Sequence, residues 1–137
     1  MPGKSLLQPQ EIEVFYIIPT VRRQLAIAMK QRGLKQKQIA VLLDIEDAAV
    51  SQYINQKRGN KVQFEKEIIK EINKSSKLIK DKLSLVRETQ KLLRLIHSTG
   101  EICRIHKQIC KIPEICSPKI VQCFEDEKDV KTRPSYR

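Results

Sequence analysis

Four cysteines, Cys103, Cys110, Cys116 and Cys123, fall within twenty-one positions of one another, and none occurs elsewhere in the chain. Their spacing, C-x6-C-x5-C-x6-C in CRIHKQICKIPEICSPKIVQC, does not look like scattered core residues. Cytosolic disulfides are disfavoured, which raises metal or redox chemistry, and four thiolates complete a ligand set for an iron–sulfur cluster or for zinc. Zinc sites bring their ligands in close C-x2-C pairs, absent here, whereas clusters span a larger volume. Cys103 and Cys110 on one helix would stand two turns apart, about 10 Å along its axis. The expectation is therefore a 4Fe–4S cluster on Cys103, Cys110, Cys116 and Cys123, with zinc the alternative and reversible disulfides or plain buried thiols still open. Pro113 and Pro118 break the chain and let the second pair fold back toward the first. His106, three residues after Cys103, reads as a basic-face residue rather than a ligand, and His97 as structural.

The elements that must carry this segment are helical. Aromatics make up only 4% of the 137 residues and Trp is absent. Plentiful Ile, Leu and Val favour aliphatic helix packing over a sheet with aromatic cross-strand pairs. The predicted fold is all-α, with an N-terminal helix-turn-helix bundle, then long helices, then a small cysteine-rich helical segment. The predicted divisions are 1–60, a DNA-binding unit; 61–100, a helical linker and dimerisation region; 101–124, the cysteine segment; and 125–137, a disordered tail without periodicity.

Residues 1–10 contain two prolines and a glycine and read as an irregular lead-in. Pro19 sits uncomfortably inside a helix, so a short apolar piece over 12–18 should precede a main helix starting near Pro19 or Thr20 and stopped by Gly33. Val21, Leu25, Ala28 and Met29 form the apolar side of that helix, with Arg22, Arg23, Lys30 and Arg32 elsewhere on its surface. A further amphipathic helix is expected over 61–73, with a weak interruption at 74–76. Ile72, Ile79, Val86 and Leu93 then recur every seven residues, which predicts a helical seam, although Ser76, Gln90 and His97 make a long regular coiled coil doubtful.

The formal charge of +11 points to a polyanionic partner, and double-stranded DNA comes first. No run approaches the roughly 20 apolar residues a membrane span needs and no signal peptide opens the chain, so a cytoplasmic protein without a membrane partner is expected. Residues 34–59, LKQKQIAVLLDIEDAAVSQYINQKRG, supply the matching element. Ile39, Ala40, Leu42, Leu43, Ile45, Val50, Tyr53 and Ile54 fit two short amphipathic helices joined by a tight turn at Asp44. Gln36 and Lys37 begin the first helix, where an amide and backbone N–H groups can face a phosphate; Lys57 and Arg58 follow the second. Ala48, Ala49, Ser51 and Gln52 are short or amide-bearing, as a helix lying on bases requires.

On Gln36, the Ile39-Ala40 pair, the turn at Asp44-Ile45, Val50, the Tyr53-Ile54 pair and the trailing Asn55-Gln56-Lys57-Arg58, residues 34–59 resemble the helix-turn-helix of phage-repressor-like, XRE-type transcriptional regulators. The wider stretch 11–59 resembles a group of predicted archaeal regulators with this domain at the N-terminus. The resemblance implies a sequence-specific operator-binding regulator. It places Asp47, Ala48, Ala49 and Gln52 at base-contacting positions, with Ser51 beside them, and Gln52 is the best placed to pair bidentately with adenine. Two departures stand out. Asp44 occupies a turn position often held by Gly, and Glu46 and Asp47 bring negative charge near phosphates, unless one of them caps the helix.

A two-half-site operator would match a homodimer. An iron–sulfur cluster in such a protein would act as a redox or iron sensor, its state altering the separation of the two recognition helices. The alternatives are a zinc-stabilised regulator, or an antitoxin or adaptor gripping a protein through its C-terminal half. An enzyme is not expected: there is no glycine-rich phosphate loop, no nucleophile elbow, no evident small-molecule substrate site, and only two histidines.

Overall fold

The computed structural model describes residues 6–121 and 123, and it is all-helical, with no strand among those residues. The expected tail over 125–137 lies outside them, as do residues 1–5 of the expected irregular lead-in, whose last two residues, Pro9 and Gln10, instead open a helix. Helix α1 (Pro9–Ile12) passes through a π-helical turn (Glu13–Ile17) directly into α2 (Ile18–Gln31), so the expected start at Pro19 or Thr20 is replaced by unbroken helical chain from Pro9. Pro9 occupies the first turn, where a missing N–H matters little, and the Gln8 N–H donates to Glu11 Oε1 at 2.9 Å. Pro19 is tolerated because the hydrogen-bond ladder is already out of register there. In the π turn the Ile18 N–H reaches back to the Glu13 carbonyl, and the Thr20 hydroxyl donates to the Tyr16 carbonyl at 2.7 Å.

Gly33, at φ +92°, ends the helix as expected. Its N–H bonds the Lys30 carbonyl, and the Leu34 N–H bonds that of Met29. Val21, Leu25, Ala28 and Met29 are all buried. Against them pack α3 (Gln36–Leu43) and α4 (Asp47–Ile54), the two short helices read from the sequence.

Beyond α4 the structure departs from the expected helix over 61–73. Val62 and Phe64 are buried while Lys61, Gln63 and Glu65 are exposed, an alternation of period two that suits extended chain, and helix α5 (Lys66–Ser76) begins only afterwards. Residues 77–81 then turn, and α6 (Lys82–Ser98) is started afresh by Asp81, whose carboxylate accepts from the Ser84 N–H at 2.8 Å while its own N–H donates to Ser84 Oγ at 2.9 Å. The seven-residue recurrence therefore crosses a break. Ile72, Ile79 and Leu93 are buried, but Val86 is 59% exposed, so the four do not form one seam.

Gly100, at φ +76°, turns the chain into α7 (Glu101–Ile109), and α8 (Pro118–Val121) follows after irregular chain. One buried cluster runs from Ile12 to Cys110, so the regions 1–60, 61–100 and the start of 101–124 share a core. Helix α2 packs on α3, α4 and α5, α5 on α6, α6 on α7, and α7 returns to α1. Two contacts tie this circuit: His97 on α6 pairs with the Glu13 carboxylate, and Arg104 on α7 bonds both Glu101 and the Gln63 carbonyl. No helix among the described residues is long and apolar enough to cross a membrane.

Candidate functional site

The turn between α3 and α4 sets the angle of the helix expected to read DNA. Asp44 adopts the left-handed conformation (φ 53°, ψ 48°), its N–H bonds the Val41 carbonyl, and the Ile45 N–H bonds that of Ala40 at 3.0 Å. This is the double closure that normally favours glycine. Ile39, Ala40 and Leu43 on α3 and Val50 and Tyr53 on α4 are buried, so both helices are seated by their apolar faces. Across the turn, the Gln36 side-chain amide donates to the Asp47 carbonyl at 2.8 Å and brings the two helix starts together. Gln36 is thus engaged within the motif as well as exposed.

Lys37, Asp47 and Ala48 are exposed; Ala49, Ser51 and Gln52 are half-buried. Ser51 Oγ accepts from the Asn55 amide at 3.2 Å. Gln52, the favoured base contact, has its Oε1 buried with no hydrogen-bond partner. Glu46 stands at the cap position of α4 but its side chain makes no cap bond there, and Asp47 lies in the first turn, so the negative charge of this pair is not absorbed by capping. At the far end Gln56 is left-handed (φ 63°), and the N–H groups of the exposed Lys57 and Arg58 both return to the Gln52 carbonyl.

Within residues 34–59 four cations, Lys35, Lys37, Lys57 and Arg58, face three anions, Asp44, Glu46 and Asp47, leaving this stretch at +1. The positive field must come largely from outside the motif. One contributor is Arg23, which the sequence places on the surface of the first main helix but not with the site residues. Gly59 (φ +66°) lies so close to α2 that a Cβ there would come 2.4 Å from the Pro19 carbonyl oxygen and 3.0 Å from Arg23 Cβ. Arg23 therefore stands beside the Lys57-Arg58 exit, and its Nε is buried without a partner. Only this tertiary approach reveals it; no local spacing points to it.

The cysteines divide three and one. Cys103, Cys116 and Cys123 line a cavity of about 390 Å³ between α7 and residues 6–9, largely walled by Leu7, Ile102, Ile112 and Ile115. Burial, with the neighbouring Cys123 and Cys116 thiols, pushes the Cys103 thiol up, while Lys107 pulls the other way. Cys110 ends α7, is buried in the common core and does not line this cavity. His106 donates its Nε2–H to the Leu7 carbonyl at 2.7 Å, which uses that nitrogen to hold the chain start against α7.

These residues bear on the expected metal groups differently. Among the described residues no three His, Cys, Asp or Glu side chains stand close enough to hold one metal ion. Zinc requires all its sulfurs about 2.3 Å from a single point. A cluster spaces its thiolates more widely, and three thiols around one apolar cavity, with Lys107 and Lys111 in its lining, suit that chemistry. Compared with protein-family models, curated proteins and solved structures, the chain matches none.

Proposed function

We propose that this protein is a sequence-specific, DNA-binding regulator of transcription that acts in the cytoplasm as a homodimer, with an iron–sulfur cluster on its cysteine segment reporting redox or iron state. The observation that carries the reading is the locked α3–α4 pair. Its two helix starts are joined by Gln36 and Asp47, its apolar faces are buried against α2, and Ala48, Ser51 and Asn55 share an outer stripe bounded by Lys37 at one end and by Lys57 and Arg58 at the other. On this reading the protein binds and senses rather than catalyses.

Cations at both ends of the stripe hold phosphates and fix register, and the short side chains between them let the helix approach base edges. When bound, an iron–sulfur cluster supplies reversible electron transfer and iron-dependent occupancy. The chain's own residues connect the two ends: Cys103 lies on α7, α7 packs on α1, and α1 runs through the π turn into α2, on which α3 and α4 rest. Leu83 and Val86, three residues apart on α6 and 82% and 59% exposed, give a second copy an apolar stripe to dock on.

The test is selection of a duplex from a random pool by the purified protein, followed by binding to the selected site at several salt concentrations. A selected sequence bound with a steep salt dependence supports the reading. Failure to enrich any duplex, or a flat salt response, removes DNA as the partner. Sedimentation of wild type and Leu83→Glu tests the dimer: a dimer converted to monomer is expected, and a wild-type monomer ends that part.

A further inference from the structure

We propose that Cys103, Cys116 and Cys123 alone hold the cluster, in the cavity between α7 and residues 6–9, with Cys110 a core residue outside the ligand set and the fourth iron open to a ligand from outside the chain. This rests on the cluster-bearing regulator proposed above and narrows its site. It departs from the four-cysteine set that the spacing alone implies.

The division is geometric. Cys103, Cys116 and Cys123 all line one cavity, and Cys110 does not. Cys110 is 3% exposed and packs among the aliphatic residues of the common core. The seven positions from Cys103 to Cys110 span about two helical turns, which places the two residues about 10 Å apart along the axis of α7. Cys110 closes α7 in an extended conformation (φ −114°, ψ 150°), at the end of the helix rather than within it.

Size and charge agree with a cluster. The cavity, about 390 Å³, is wider than one ion needs. A cluster core bearing three thiolates is anionic; Lys107 and Lys111 line the cavity and no carboxylate does so among the described residues. Ligation replaces three S–H bonds by three Fe–S bonds, the protons leaving to solvent, with no change of oxidation state. His106 spends Nε2 on holding the Leu7 carbonyl and no fourth cysteine lines the cavity, which would leave the fourth iron to an exogenous thiol, water or small anion.

The experiment is anaerobic reconstitution of the full chain with ferric iron, sulfide and dithiothreitol, reading iron, acid-labile sulfide and visible absorption. Wild type, Cys110→Ala and Cys110→Val should each take up about four irons and four sulfides, while Cys103→Ser, Cys116→Ser and Cys123→Ser should each lose most of both. Mössbauer spectra of the loaded wild type should show one iron distinct from the other three. Loss of the cluster in Cys110 variants that melt as cooperatively as wild type, or four irons with equivalent sulfur ligation, would overturn the three-cysteine set while leaving the cluster reading intact. A wild type that takes up no iron, or holds a single zinc, ends both together.

Discussion

The Gln36 side-chain amide donates to the Asp47 main-chain carbonyl at 2.8 Å, joining the first turn of α3 to the first turn of α4 across eleven positions of sequence. Replacing it removes the only bond described between the two helix starts while leaving their apolar faces in place. Gln36→Ala is expected to lower stability by about 0.5–1.5 kcal/mol, the usual net worth of such a bond. Gln36→Glu should lose more, because a carboxylate then faces a carbonyl oxygen. Urea titrations of the three proteins decide this, and coincident midpoints would mean that the bond contributes nothing in solution.

Left-handed backbone is occupied by Asp44 and by Gly59 for different reasons, and their substitutions should move stability in opposite directions. Asp44→Gly relieves the side-chain strain of φ 53° in open surroundings and should be neutral to stabilising by up to about 1 kcal/mol, whereas Asp44→Val should destabilise by about 1–2 kcal/mol. Gly59→Ala adds a carbon where the Pro19 carbonyl oxygen is 2.4 Å away, so it should lose more than the φ alone accounts for, about 2 kcal/mol or more. Thermal melts are the measurement. An Asp44→Gly protein melting well below wild type would contradict the turn geometry.

DNA affinity should respond to the motif's acids as clearly as to its bases. Glu46 and Asp47 are exposed at the start of α4, and Glu46→Gln with Asp47→Asn should strengthen binding to any duplex, since two repulsive charges leave. Lys57→Ala and Arg58→Ala should each weaken it and lower the slope of log affinity against log salt by about 1. Arg23→Ala should resemble these two rather than Lys61→Ala, given its place beside Gly59. Fluorescence anisotropy over a salt series measures all of these, and unchanged slopes in Lys57→Ala and Arg58→Ala would remove these residues from the phosphate-contact set.

Acid should unfold the protein partly through α6. Burial alone would raise the Glu88 carboxyl, but Arg87, Ser75 and Lys91 outweigh it and hold it below the ordinary carboxylate range; Arg87 Nε is at 3.0 Å and Lys91 Nζ at 3.3 Å. Hydrogen bonds from the Ser84 backbone and hydroxyl lower Asp81 likewise. A carboxylate depressed on folding contributes stability that is fully present above its unfolded value and is lost as pH falls through its folded value. The melting temperature of wild type should therefore drop on the acid side of the carboxylate range, and that of Glu88→Gln should drop less steeply there. Identical pH profiles would show that Glu88 has the same affinity for protons folded and unfolded.

Sequence patterning was strongest where a helix had to bury one stripe. Val21, Leu25 and Met29, and Ile39, Val50 and Tyr53, read as core and are core, because a 3.6-residue repeat of apolar side chains has few other uses. It misled where residue counting crossed a break. Ile79 falls in a turn, and the Asp81–Ser84 cap restarts the helix, so Val86 faces solvent although its spacing matches that of Leu93. The capping signal was present, but the hydrophobic recurrence masked it. Pro19 reads as a boundary in the sequence because the π turn that accommodates it has no sequence signature. The separation of Cys110 from the other three cysteines depends on its burial in the common core, which spacing cannot encode.

The contact between His106 and Leu7 joins residues 99 positions apart. Such a closure forms late in folding, because the entropy of a long loop must be spent before the bond returns anything. The helix-turn-helix, built from near neighbours, has no such delay. Between the two moments α3 and α4 can already rest on α2 while the cavity between α7 and residues 6–9 has only part of its walls, so a group seated in that cavity has to wait for both ends of the chain.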